Sequence, residues 1–349
     1  MSDVAEARVA VIAGDGIGPE VISAAQEVLA ATGVALHYED IPVSTRRYLR
    51  EGLLLTDEDL ADIRRCDAVL LGAVGDPAVP AGIMERDVLL RLRFELDLGL
   101  NIRPVRLLPG TVSPVSSATP DTVDMVFVRE NTEGPYAGTG GRLRRGTAAD
   151  MALQDSVNTV AAVDTAVAYA FELAESRRQR LTWVHKTNVL VHAGGLWADV
   201  VAAHTPLHPG VTVEYQHADA ACIHLLQRPA DYDVIVTDNL FGDILTDLAG
   251  AIGGGVGLMP SANFTPGSDN PGLFEPIHGS APDIAGLGIA NPTGAVLSAA
   301  MMLRHLGFAA QATAVEDAVV RVAAAGRASG RTQDIVAALI DELEPAHAP

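Results

Sequence analysis

The chain is 349 residues long, 48% of them hydrophobic, and its 44 acidic against 24 basic residues give a net charge of −20 at pH 7. That length suits about two domains of roughly 150 residues each, and the longest apolar runs, AVLLGAV and LAGAIGGGVGLM, stop well short of the ~20 residues that span a bilayer. The acidic balance, with no lysine and arginine cluster interleaved with aromatics, argues against nucleic acid as a partner; it also repels small anions at long range, so an anion site needs arginines concentrated locally.

The opening MSDVAEARVAVIAGDG carries acidic residues where a signal peptide would be basic, so the expected location is the cytoplasm. A strand pattern, ARVAVIAG, is followed by a helical one, PEVISAAQEVLAAT, then by VALHYED as a strand, TDEDLADIRR as a helix and DAVLLGAV as a strand. Between the first strand and helix lies GDGIGPE, residues 14–20. It sits where a dinucleotide fingerprint belongs, but the position of the third glycine is Pro19, which suits the first turn of a helix, so a tight turn using Gly16 and Gly18 is expected instead.

Further strands are expected in VDMVFVRE, LTWVHKT, VTVEYQH and DYDVIVTD, alternating with helical segments. This alternation predicts an α/β fold with a largely parallel sheet. No linker or repeat resets the pattern, so two domains would be interleaved. Only TPGSDNPG (265–272) and the last residues, PAHAP (345–349), look like loop or tail. Cys66 and Cys222 lie far apart without CxxC pairing, which fits reduced, buried thiols rather than a disulfide or a zinc site.

Several residues could carry chemistry. In VTDNLFGDILTDLAG, Asp243 and Asp247 are four apart, in a pattern with Leu240, Ile244 and Leu248, and share one helix face. Two adjacent carboxylates read either as a solvated face or as a cation site, and the residues alone leave both open. Arg93 and Arg103 in LLRLRFELDLGLNIRP, joined by Arg129 in VRENTEGPY, are permanently charged planar donors of the kind that a di- or trianionic acid wants. Each alone reads as a surface charge; with Tyr136 and the two aspartates they read as a site. Lys186, in VHKTNV, is either a strand-end charge or a base whose pKa partial burial lowers.

Seven motifs in order, GDGIGPE, LRLRFELDLGLNIRPVR, VRENTEGPY, HKTNV, DAACIHLL, DNLFGDILTD and FEPIHGSAPDIAGLGIANPTG, resemble the β-decarboxylating dehydrogenases of the isocitrate, isopropylmalate and tartrate dehydrogenase family and span nearly the whole chain. The resemblance implies the isopropylmalate dehydrogenase-like α/β fold, not a Rossmann fold: two α/β domains sharing a mixed central sheet. Residues 1–98 plus 254–349 would form the first, NAD-binding domain and 99–253 the second. The second would carry a dimerisation arm, for which GTGGRLRRGTAAD (138–150) is the candidate; a mobile surface loop is the alternative.

The same resemblance implies a homodimer with shared active sites. Asp243 and Asp247 would bind Mg²⁺ or Mn²⁺, with Asp219 arriving from the other subunit; hard oxygen ligands suit these ions. Lys186, also from the other subunit, would take the substrate hydroxyl proton, with Asp219 tuning it, and Tyr136 would protonate carbon at the end. Arg93, Arg103 and Arg129 would hold the substrate carboxylates. NAD would meet Ile17, Glu275, His278, Gly279, Ser280, Ala281, Asp283 and Asn291. Asp283 can accept both ribose hydroxyls but would repel the 2′-phosphate of NADP, and no Lys-Tyr pair stands here as in NADP-using relatives.

For the substrate, relatives that take isocitrate place a serine and an asparagine where this chain has Asp87 and Leu89, so isocitrate is not expected. Leu89 and Leu90 match the pair lining the isopropyl pocket, which Val189 would close, although a leucine pair on a helix also reads as core. The glutamate that many isopropylmalate enzymes carry three residues before the pair is Arg86 here, and Glu85 is the expected substitute. The reading is oxidative decarboxylation of 3-isopropylmalate in leucine biosynthesis. The alternatives are tartrate, D-malate or another 3-substituted malate, since RENTEGPYAG is close to tartrate and D-malate enzymes. A non-catalytic regulatory subunit is a further alternative, although Tyr136, Lys186, Asp219, Asp243 and Asp247 are all present.

Overall fold

A computed structural model describes residues 6–80 and 82–343; the expected tail 345–349 lies outside the described residues, as do the first five. The chain opens with β1 (Glu6–Gly14), α1 (Gly18–Ala31), β2 (Ala35–Asp40), α2 (Thr45–Glu51), α3 (Asp57–Ile63) and β3 (Ala68–Ala73), then a π-helical stretch, Glu85–Leu90, that runs into α4 (Arg91–Glu95). The middle follows: β4 (Leu100–Arg106), β5 (Asp124–Glu130), the ribbon strands β6 (Gly140–Leu143) and β7 (Met151–Gln154), α5 (Val160–Glu175), β8 (Arg180–His185), α6 (Val191–His204), β9 (Thr212–His217), α7 (Ala218–Gln227), β10 (Val234–Thr237) and α8 (Asn239–Ile252). The chain closes with β11 (Pro260–Phe264), β12 (Gly272–Pro276), α9 (Thr293–His305), α10 (Ala309–Ala324) and α11 (Thr332–Leu343).

Ten strands form one sheet in the order β2-β1-β3-β12-β11-β4-β5-β10-β8-β9. Strands from the two ends of the chain (β1, β2, β3, β11, β12) make one half, and strands from its middle make the other. Pairing is parallel at each flank and antiparallel at β12-β11, β11-β4 and β4-β5, so the sheet is mixed, with its antiparallel part at the centre. Helices cover both faces. On one, α1, α9, α10 and α11 pack with α5 and α6 into a single apolar cluster; on the other, α3 and α4 cover the first half and α7 and α8 the second.

Local chemistry sets the turns that matter later. Gly14 and Gly16 both have positive φ, 76° and 58°, a region open to glycine at little cost. A Cβ on Gly16 would stand 1.9 Å from the Ser280 carbonyl oxygen. Between these glycines, Asp15 accepts hydrogen bonds from Thr45 N (2.8 Å), Thr45 Oγ1 (2.8 Å) and Gly75 N (3.0 Å). GDGIG is therefore a latch that ties three loops together at one end of the first half-sheet.

The helical stripe that the sequence pattern picks on α8 differs from the one the fold buries. The inner face is Gly242, Leu245, Thr246, Ala249 and Ile252, while Ile244 is 56% exposed and Leu240 and Leu248 are half-buried. Asp238 caps the helix through Phe241 N at 2.8 Å. Among the described residues, no helix is long and apolar enough to cross a membrane, and both cysteines are free.

Candidate active site

The central antiparallel strands carry opposite characters on their two faces, because side chains alternate along a strand and directly paired residues share a face. One face presents Ile102, Val128, Ala262 and Phe274 to the main core. The other presents Asn101 and Arg103 of β4, Arg129 of β5, Ser261 and Asn263 of β11 and Glu275 of β12. Asn101 lies opposite both Arg129 and Asn263, and Ser261 lies opposite Glu275. A polar floor thus runs across the middle of an otherwise apolar sheet.

The sequence-predicted arginines meet on this floor. Arg129, 1% exposed, donates from Nη1 to Asp243 Oδ1 (2.7 Å), from Nη2 to Asn239 Oδ1 (2.7 Å) and from Nε to the Asn239 carbonyl (2.8 Å). Its guanidinium also lies over the Tyr136 ring, 5.4 Å from the centroid. Arg103 donates to Thr246 Oγ1 at 2.6 Å, stands 3.9 Å from Asp243 Oδ1, and keeps a buried Nε with no partner among the described residues. Arg93, on α4, has Nη2 3.8 Å from Glu275 Oε1. Burial first and then the nearby Arg129 push the proton affinity of Arg93 down and that of Arg103 down to about 9. Three buried cations faced by two carboxylates leave positive charge that a bound anion would balance.

Asp243 and Tyr136 complete this half. Tyr136 donates its hydroxyl to Asp243 Oδ2 at 2.9 Å. Burial opposes charge at Asp243, but Arg129, Arg103, the Tyr136 hydrogen bond and Arg93 together outweigh it and hold the carboxyl below its ordinary range. Asp247, one turn on, is pushed up by burial and by Asp243, against the pull of Arg103 and Arg129. Burial, then Asp243, also raises the Tyr136 phenol, which keeps its proton.

A cavity of about 260 Å³ joins this floor to the segment after β12. Its lining includes Glu85, Leu89, Arg93, Arg103, Asp243, Glu275, His278 and Gly279. Burial lowers the His278 pKa, and its buried Nε2 has no partner among the described residues. Ile17 N donates to the Ser280 carbonyl at 2.8 Å, and Ala281 has a positive φ of 39°, so the loop is folded tightly onto β1-α1. Asp283 is exposed. Asn291 lines a separate cavity of about 370 Å³ with Gly257, Leu258 and Ala328; its amide donates to the Ala328 carbonyl (2.9 Å) and accepts from Thr293 N (3.0 Å).

The π-helical stretch turns Glu85 rather than Arg86 toward the cavity. In a π turn, residues four to five apart share a face, where an α-helix aligns those three to four apart. Glu85 accordingly lines the cavity with Leu89, four residues on, while Arg86 turns outward and holds Asp87 through two hydrogen bonds of 2.7 and 2.8 Å. Leu90 is half-buried and does not line the cavity.

Lys186, Asp219 and Val189 stand apart from this cleft. Lys186 Nζ meets Asp219 Oδ1 at 2.6 Å, a bond that holds the Asp219 carboxyl below its ordinary range, and Val189 is 66% exposed. Among the described residues, no three carboxylate, histidine or cysteine side chains gather where they could hold an ion. Sequence reading missed the buried amides: Asn263 Nδ2 donates to Glu275 Oε1 (3.0 Å), while Asn263 Oδ1 accepts from Asn101 (2.9 Å) and Asn131 (3.0 Å). The available signal was amide side chains at alternate positions in strands otherwise built to be buried.

The family model for isocitrate/isopropylmalate dehydrogenases matches residues 8–344. The 3-isopropylmalate dehydrogenase of Corynebacterium jeikeium (strain K411) is 56% identical over 314 residues, covering 90% of this chain and 92% of that protein. The 3-isopropylmalate dehydrogenase of Corynebacterium kroppenstedtii is 52% identical over 342 residues, covering 97% and 99%. Among solved structures, the isocitrate dehydrogenase from Methylococcus capsulatus matches with a TM-score of 0.88 at 34% identity, covering 97% of this chain and 99% of that one.

Proposed function

The chain belongs to the isocitrate/isopropylmalate dehydrogenase family, and on that premise we propose that it catalyses the NAD-dependent oxidative decarboxylation of 3-isopropylmalate to 2-oxo-4-methylpentanoate in leucine biosynthesis, assisted by Mg²⁺ or Mn²⁺. The observation that carries the reading is the single cleft in which Leu89, Arg93, Arg103 and Asp243 face Glu275, His278 and Gly279. Residues assigned to the acid and residues assigned to the dinucleotide share one space.

The arginines hold the two carboxylates, and being planar and already buried they fix orientation with little reorganisation. Leu89 offers an apolar wall to the alkyl group; Leu90, next to it but outside the cavity lining, and the exposed Val189 would join that wall only when a second subunit closes the pocket. Lys186 of a second subunit takes the proton from the hydroxyl, and Tyr136, kept protonated against Asp243, returns one to carbon. Asp243 and Asp247, with the partner subunit's Asp219, form a hard oxygen donor set that fits Mg²⁺ or Mn²⁺; the ion would supply Lewis acidity at the hydroxyl and its neighbouring carboxylate. For the dinucleotide, the unpartnered His278 Nε2 and the exposed Asp283 are the fitting features, and Asp283 favours NAD over NADP by repelling a 2′-phosphate. NAD would supply the hydride acceptor.

A homodimer is part of this reading. The β6-β7 ribbon is exposed along both strands and does not join the main sheet, and two strands alone are marginal in water. Ile223, Leu226 and Ile244 leave apolar surface on α7 and α8. Both features suit a second copy that brings Lys186 and Asp219 to the cleft. The two-domain division at residues 98/99 and 253/254 and a cytoplasmic location belong to the same proposal. The test is the initial rate of NADH formation with Mg²⁺ or Mn²⁺ on 3-isopropylmalate, D-malate, tartrate and isocitrate, repeated with NADP. Dominant turnover of isopropylmalate with NAD is expected. A preference for D-malate or tartrate would make Leu89 and Leu90 core residues, and no turnover of any acid would return the chain to a regulatory role.

A further inference from the structure

Lys186 sits between two anchored neighbours. His185 on one side is fully buried. Thr187 on the other is pressed by α6, where a Cβ on Gly194 would approach Thr187 Cα to 2.7 Å. The Lys186 side chain itself reaches outward to the exposed Asp219. A free lysine stem carries about 2 kcal/mol of rotamer entropy, and the acid it would serve belongs to the neighbouring subunit. Any preorganisation before substrate arrives must therefore come from its own chain.

Tyr215 of β9 supplies it. Its hydroxyl lies 3.2 Å from Thr187 N, 2.9 Å from Thr187 Oγ1 and 2.6 Å from His217 Nδ1, with the His185 carbonyl at 3.3 Å. A phenol has two lone pairs and one proton. The Thr187 N–H donates to the phenol oxygen, and the hydroxyl has Thr187 Oγ1, the His185 carbonyl and, at the shortest contact, His217 Nδ1 within hydrogen-bond reach. His217 is the last residue of β9 and the N-cap position of α7, yet it makes no side-chain cap bond; its ring nitrogen is committed to Tyr215 instead. Asp219 follows two residues later. Ring contacts hold Tyr215 in place: Trp183 at 4.3 Å and His217 edge-on at 5.0 Å.

We propose that Tyr215 and His217 are a positioning pair that sets Lys186 and Asp219 relative to each other, so that both reach the neighbouring subunit's cleft in working geometry. This rests on the reading that Lys186 and Asp219 act across the dimer. Neither residue of the pair touches substrate.

The first readout separates positioning from folding. Tyr215→Phe and His217→Phe should each lower kcat about ten- to hundredfold, the scale of a small misplacement at a reacting group, with KM for the acid and for NAD near the parent's. His217→Asn, whose side-chain amide can accept or donate where Nδ1 did, should recover most of the rate. A fall in melting temperature with kcat intact would overturn the proposal.

Hybrid dimers of differently tagged subunits give the second readout. One arrangement pairs a Tyr215→Phe subunit with a Tyr136→Phe subunit; the other puts both substitutions in one subunit beside a parent subunit. If Lys186 acts across the dimer and Tyr215 positions it, the first hybrid keeps one intact site and the second keeps none. Equal rates in the two hybrids would sink the positioning role, whereas the reverse ranking would sink the shared-site reading itself. Should Tyr215→Phe not fold, His217→Phe takes its place in both hybrids.

Discussion

The two parts of the proposed catalytic machinery are built on different terms. The arginine floor is finished inside one chain: Arg129 is buried, and Asn239, Asp243 and Tyr136 surround it at hydrogen-bond or stacking distance. The Lys186 and Asp219 pair is finished only with respect to itself, at the surface and away from the cleft. Groups that must hold an anion in low dielectric have to be buried and mutually satisfied before the ligand arrives. Groups that act on a neighbour's substrate have to stay reachable from outside, so within their own chain they are anchored through their backbone and through each other.

The sharpest break in this comparison is Arg129→Leu. It leaves the buried Asn239 without its donor and the half-exposed Asp243 without its ion pair, and an unsatisfied buried acceptor costs about 1–3 kcal/mol. Guanidinium unfolding should show that loss together with loss of turnover. Lys186→Ala is the counterpart. It should lower turnover by about 10²–10⁴-fold, the usual contribution of a general base, while the thermal midpoint stays close to the parent's because an exposed pair contributes little. A large drop in midpoint would mean that the pair is structural.

A smaller effect probes the buried neighbour of Lys186. Burial pushes His185 down to about 4 and Asp238 up to about 6. Their side chains are 3.6 Å apart, too far for the hydrogen bond that would reverse both directions, so burial decides. Below the ordinary histidine value of 6.5 the unfolded chain takes up a proton that native His185 refuses, so this residue costs stability as pH falls toward 4. Asp238 gives the opposite slope, because the native carboxyl takes up its proton near pH 6, before the unfolded one does. In His185→Phe only the Asp238 slope remains. The stability difference between variant and parent should move in the variant's favour from pH 6.5 to 4, by at most about 3 kcal/mol, and be flat above 7. A difference that is flat throughout would show that His185 titrates normally.

The smallest effect concerns the wall of the cleft. Leu89→Ala should lower kcat/KM for isopropylmalate relative to D-malate by about tenfold, since a methylene or two in an apolar pocket is worth ~1–3 kcal/mol. An unchanged ratio would assign Leu89 to packing alone.

Much of the site was legible as local pattern. Asp243 and Asp247 lie one turn apart on a helix as their spacing implied, the arginines were picked out by residue type, and the near-miss fingerprint with Pro19 at its last position is a turn. What pattern could not reveal was which pieces meet. Arg93, Arg103 and Arg129 sit on a helix and two strands, and they converge because β4 and β5 pair antiparallel at the centre of the sheet. The leucine stripe on α8 misled, since one apolar face of a helix looks the same in sequence whether it meets the core or is left for another surface. That Glu85 and not Arg86 faces the cavity goes with a π turn, which has no clear sequence signature.

The sequence by itself determined the family, the α/β alternation and the residue types that the chemistry needs, because these depend on side-chain identity and on spacing along one element. Tertiary structure decided the polar floor, the buried amides behind Glu275, the Tyr215 clamp on the Lys186 loop and the separation of Lys186 from the cleft. Each of these is a distance between segments far apart in the chain, and such distances are set only when the whole sheet has formed.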